Sequence, residues 1–110
     1  MEIETQERDG VIVLRLTGSI DSSSAEEVGK TLDQHLAANT SVLINMAEVE
    51  FLSSAGLRQL LLTQRKADEV GATIAVSSIQ KHIAEVMSVT GFLGFFQTFD
   101  TEDDALANLG

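Results

Sequence analysis

Val42-Leu43-Ile44-Asn45-Met46-Ala47-Glu48-Val49-Glu50-Phe51-Leu52-Ser53-Ser54-Ala55-Gly56-Leu57-Arg58 is the stretch on which the fold turns. The strand that leads into it, Ser41 to Asn45, is apolar and β-branched enough to be short and buried on both faces. Ala47 to Leu52 reads as a connector from which Val49 and Phe51 dip into the core. A helix starts near Ser53 or Ser54, sets Leu57, Leu60, Leu61 and Ala67 inward, and stops at Gly71, a residue that favours helix ends. A buried strand passing through a short connector into an amphipathic helix predicts a layered α/β domain.

The rest of the chain extends the pattern in both directions. Upstream, Ile3 to Gln6 and Val11 to Leu16 are strands, and Asp9-Gly10 between them is a hairpin signal. The second strand closes at Gly18. Ser24 and Glu27 have capping-box spacing, so a helix is expected from there to about Ala38, with Val28, Leu32 and Leu36 inward. Downstream, Thr73 to Val76 is a strand and Gln80 to Val89 a helix with Ile83, Val86 and Met87 inward. Phe92 to Phe96 leads into a short strand over Gln97 to Phe99. Thr101 and Asp104 cap a last helix ending near Leu109. The order β-β-α-β-α-β-α-β-α predicts one domain over residues 1–110. Its sheet is mixed but mostly parallel, with about five strands, about four helices and an antiparallel hairpin at the start.

Composition narrows the function. The 110 residues suit one compact domain, and 44% hydrophobic with 22% charged residues is a globular mixture. Five Phe with no Trp or Tyr leave the core to Val, Leu, Ile and Ala. A formal charge of −10 with only seven Lys and Arg argues against direct nucleic-acid binding, which draws on neutralised phosphates, and against acidic membrane surfaces. The absence of cysteine excludes disulfides and thiolate metal sites. The start Met1-Glu2-Ile3-Glu4 lacks a secretory pattern, and no apolar run reaches the roughly 18 residues of a membrane helix. The expectation is a cytoplasmic protein with no membrane insertion.

The chemistry concentrates at Ser53 to Arg58. A small hydroxyl-bearing loop opens a helix whose free N–H groups and positive dipole end favour an anion. A phosphoserine there adds about −1.5 to −2 charges at a tolerant position. Gly56 is expected to keep the first turn narrow so that a partner can approach. The plainer reading, a serine N-cap worth roughly 1 kcal/mol, is the one physics alone favours. His35 and His82 lack metal-ligand spacing and read as surface residues. No nucleophile elbow, dinucleotide fingerprint or P-loop is present, so neither a catalytic residue nor a cofactor is expected. The Phe92, Phe95, Phe96 and Phe99 group reads as core and sheet packing.

The Val42–Arg58 stretch closely resembles the signature of STAS-domain anti-sigma factor antagonists, and Gly18-Ser19-Ile20-Asp21 is similar to that family's Gly-x-Leu/Ile-Asp element. Length and element order match over essentially the whole chain. The resemblance implies partner switching. An unphosphorylated antagonist binds an anti-sigma factor that is also a serine kinase, which frees a sigma factor. Phosphorylation from ATP ends the contact, and a serine phosphatase resets it. Aligning Gly56-Leu57 places the acceptor on Ser54, with Ser53 as the alternative. Partner contacts are implied for Asp21, Ser22, Ser53, Ser54, Gly56, Leu57 and Arg58. In the bland readings Ser22, Ser23 and Ser24 only cap the first helix and Arg58 is a solvated arginine.

Two positions depart from the family. Asn45 stands where Asp is usual, and Ser53 replaces an acidic neighbour of the acceptor. The expected protein is thus a non-enzymatic binding module, acting as a monomer. Two rivals stand beside it: an unphosphorylated STAS scaffold subunit of a lipid transporter or signalling complex, and a small α/β ligand binder or enzyme.

Overall fold

The computed structural model describes residues 1–109. The strands are β1 (Glu2–Arg8), β2 (Val11–Ile20), β3 (Ser41–Leu52), β4 (Thr73–Ser77) and β5 (Gln97–Phe99). The helices are α1 (Ala25–Asp33), α2 (Ser54–Val70), α3 (Lys81–Val89) and α4 (Glu102–Leu109), with a single 3₁₀ turn at Phe92–Phe95. The strands lie in the order β1-β2-β3-β4-β5. The first pair is antiparallel and the other three are parallel. The mixed, mostly parallel sheet and the four helices are those the sequence predicts.

The hairpin forms because Asp9 (φ 51°) and Gly10 (φ 81°) both take the positive φ of a type I′ turn, whose twist matches that of the strands. From β2 onward each crossover steps the same way across the sheet. Crossovers of one hand therefore place α1, α2 and α3 on one face. There Leu14, Leu16, Val42, Ile44, Ile74 and Val76 meet Val28, Leu32, Leu57, Leu60, Ile83 and Met87. The alternate residues Val11, Val13, Leu43 and Ala75 point to the other face, where α4 covers them with Ala105 and Leu106. Strands buried on both faces explain why β2, β3 and β4 read as unbroken apolar runs.

Several boundaries differ from expectation. Ala47 to Leu52 is not a connector but the continuation of β3, which outruns β4 and pairs only with β2 beyond Asn45. Two register shifts put extra residues on β3, so the buried side chains fall at Met46, Val49 and Leu52. Bulges of this kind break the period of two. Phe51 therefore points outward, 54% exposed, whereas Val49 is fully buried. Helix α1 stops at Asp33 rather than Ala38. The chain then unwinds through short-range turns to Asn39, in the left-handed region, whose N–H donates to the Gly71 carbonyl. Val86 and Phe95 are exposed, whereas Ile83, Met87 and Phe96 are buried as expected. Gly71 ends α2 in the left-handed conformation, and the Ala72 N–H reaches back to the Ala67 carbonyl.

Candidate functional site

The parallel strands β2 and β3 end side by side, with Ile20 opposite Leu52. The two residues that follow, Asp21 and Ser53, open the segments that lead into α1 and α2. The Ser53 N–H donates to the Ile20 carbonyl at 2.9 Å and ties the two exits together. Gly56 completes the junction. A Cβ there would lie 2.7 Å from the Ile20 carbonyl oxygen and 2.8 Å from both Ile20 Cγ2 and Leu52 Cδ1. The close approach that glycine permits is made by the chain itself, not by an incoming partner. Leu57 is likewise buried in the core. Gly56 and Leu57 thus shape the site from beneath.

The two serines are not equivalent. Ser53 has extended backbone (φ −81°, ψ 171°), and its Oγ accepts the Gly56 N–H at 3.1 Å as the N-cap of α2. Ser54 is the first helical residue and is exposed. Helix α2 carries no acidic residue in its first turn, so nothing offsets the positive dipole end. Arg58, one turn on, is also exposed.

On the other strand exit, Asp21 organises its own loop. Its Oδ1 accepts from the Ser23 hydroxyl at 2.6 Å, the Ser23 N–H at 2.9 Å and the Ser24 N–H at 3.2 Å. The Ser23 hydroxyl foremost, with these amides, holds the Asp21 carboxyl below the usual carboxylate range. Ser24 does not form the capping box suggested by Glu27. It is buried, and its Oγ donates to the Ser19 carbonyl and accepts the Asp21 N–H. Asp21 instead fixes the turn that precedes α1, because its carboxylate reaches the consecutive amides of Ser23 and Ser24. Ser22 is exposed at the loop tip.

A second polar centre, unforeseen from sequence, lies between the sheet and α4. Glu102 accepts from Arg15 Nε at 3.0 Å and Nη2 at 2.8 Å, from Asn45 Nδ2 at 3.0 Å, and from Arg8. Arg15 first, then Asn45 and Arg8, bring the Glu102 carboxyl down to about 2. Asn45 was singled out only as a departure from a pattern, and nothing near it in sequence points to residue 102. The free outer edge of β3 is covered by two side chains of the α3 start: Gln80 Nε2 donates to the Ala47 carbonyl, and His82 Nε2 lies 2.8 Å from that of Glu50. His82 thus has a local structural contact at the surface. Among the described residues no group of three or more His, Asp or Glu is placed to hold a metal ion. No described helix is long and apolar enough to cross a membrane.

The family model of the STAS domain matches residues 2–105. The chain belongs to the STAS domain family. BtrV of Bordetella bronchiseptica, whose name gives it as a candidate anti-sigma factor antagonist, is 28% identical over 97% of this chain and 93% of its own. An anti-sigma factor antagonist STAS domain protein from Planctomyces limnophilus superposes with a TM-score of 0.84 at 22% identity, covering 97% of each chain. The Bacillus cell fate determinant SpoIIAA in its phosphorylated form superposes with a TM-score of 0.74 at 17% identity, over 99% of this STAS chain and 100% of that one. These likenesses span the domain from end to end, which matches the single-domain architecture.

Proposed function

We propose that this STAS domain is an anti-sigma factor antagonist that binds an anti-sigma factor through the joined exits of β2 and β3, and that phosphate on Ser54 ends the contact. The observation that carries the reading is the division of labour between the two serines. Ser53 is committed to the Gly56 amide, whereas Ser54 stands exposed at a helix start with no acidic neighbour in the first turn. Relatives named as antagonists of anti-sigma factors support the partner class, and the phosphorylated form of SpoIIAA supports the modification.

In this reading the partner is also the kinase. The Ser54 oxygen bonds to the γ-phosphorus of ATP, ADP departs with the bridging oxygen, and the hydroxyl proton is released. The new dianion must be desolvated against a surface that had accepted a neutral hydroxyl. A cost of about 3 kcal/mol weakens binding roughly a hundredfold. A serine phosphatase restores the hydroxyl. The antagonist acts as a cytoplasmic monomer exchanging partners, with Asp21, Ser22 and Arg58 as exposed or half-exposed contacts. It needs no cofactor and performs no catalysis.

The test is incubation of the purified chain with its anti-sigma kinase and ATP, followed by phosphosite mass spectrometry and a binding titration. One phosphate on Ser54 is expected, lost in Ser54→Ala, with that variant still binding the kinase. Phosphate on Ser53 alone, or unchanged affinity after modification of Ser54, would overturn the reading.

A further inference from the structure

We propose that Arg58 is the intramolecular counter-ion of phosphorylated Ser54, so that modification both adds charge at the start of α2 and withdraws the arginine from the surface open to a partner. This inference rests on the reading of Ser54 as the acceptor.

The positions around Arg58 carry the argument. On a helix a side chain meets those three and four residues away. For Arg58 these are Ser54 and Ala55 behind it and Leu61 and Leu62 ahead. Ser54 is the only polar group in that set. In a chain with 17 carboxylates this arginine has none within helical reach. Four of the other six cations are matched: Arg8 and Arg15 with Glu102, Lys30 with Glu26, Lys66 with Asp33. Among the described residues no carboxylate pairs with Arg58.

Direction favours the same pair. Every Cα–Cβ bond in a helix tilts toward its N-terminus, so the Arg58 stem leans back over the turn that holds Ser54. An anion four residues before a cation is also the more stabilising order. Both residues are exposed, so no rearrangement of the core is required. A phosphoryl group offers three acceptor oxygens, and a guanidinium suits them with two parallel N–H donors. The hydroxyl of unmodified Ser54 offers no such charge, which leaves Arg58 available to a partner until the phosphate arrives.

The experiment uses the full chain with phosphoserine encoded genetically at position 54, so that no kinase is needed. The second ionisation of the phosphate is followed by ³¹P NMR in the parent, Arg58→Gln and Arg58→Lys. Arg58→Gln is expected to raise that midpoint by about 0.15–0.4 pH unit, and Arg58→Lys to recover part of the difference. Asp21, on the adjoining strand exit, acts on the phosphate equally in all three proteins, so the difference isolates residue 58. Equal midpoints in the parent and Arg58→Gln would overturn the proposal. Failure of any kinase to modify Ser54 would instead remove the switch while leaving this measurement intact.

Discussion

Asn45 spans from the third strand to the last helix: its Nδ2 donates to Glu102 Oε1 at 3.0 Å, and its Oδ1 accepts the Ala47 N–H at 2.9 Å. Both ends of the amide are used, and only an amide can serve both. An aspartate, the usual residue of the family at this point, would lack the donor and set a second carboxylate against Glu102. The departure from the family pattern is therefore matched by a residue 57 positions away.

Asn45→Asp is accordingly expected to destabilise the domain by about 2 kcal/mol at pH 7. The loss should shrink as pH falls through the carboxylate range, where the introduced carboxyl regains a proton to donate. Urea unfolding at pH 7 and pH 4 checks this, and an equal loss at both would refute the assignment.

Glu102 itself gives an acid signature. Its carboxyl lies at about 2 in the folded chain against an ordinary 4.5. A depressed carboxyl contributes its full stability above the unfolded value and loses it as pH falls toward the folded one. The contribution, on the order of 2 kcal/mol once the partial exposure of Arg8 is allowed for, should vanish between about pH 4.5 and 2. Glu102→Gln should be less stable at neutral pH and show a flatter acid limb in thermal melts across that window.

Gly56→Ala should lower stability by about 1–3 kcal/mol, because the new methyl meets the Ile20 carbonyl oxygen at 2.7 Å and backbone must shift. The same shift loosens the Ser53–Ile20 bond that registers the two exits. Partner affinity should therefore fall along with the melting temperature, although the substituted position is buried. Undiminished affinity in a destabilised variant would show that the junction does not position the binding surface.

The adjacent serines should separate cleanly in calorimetry. Ser53→Ala removes the N-cap and should cost about 1 kcal/mol. Ser54→Ala, at an exposed first helical position, should stay within about 0.5 kcal/mol of the parent. A reversed order would mean that Ser54 supplies the cap.

Element types and their order were legible because β2, β3 and β4 are buried on both faces and their helices carry regular stripes. Asp9-Gly10 and Gly71 declared themselves through backbone conformations that few other residues adopt. Legibility failed where tertiary pairing overrode local pattern. The second half of β3 carries two bulges, so Met46, Val49 and Leu52 recur at a spacing of three and imitate a loop. Phe51 looked like core because phenylalanine usually is, yet the bulge turns it outward. The Ser53–Arg58 segment was readable as a site, but its inner workings were not. That Gly56 leaves room for the Ile20 carbonyl depends on contacts between separate segments, and Ser24 is drawn away from capping by the Ser19 carbonyl, which its spacing to Glu27 does not announce. The Glu102 centre had no local signal at all.

Among the described residues, the face of the sheet opposite α1, α2 and α3 is covered by one helix. Val11, Val13, Leu43 and Ala75 are roofed by Ala105 and Leu106 of α4, which the arginines of the first two strands hold down through Glu102. During synthesis those apolar strands must wait, uncovered, until residues 102–109 have left the ribosome. A nascent chain stalled before that point would leave those apolar side chains open to water and to one another.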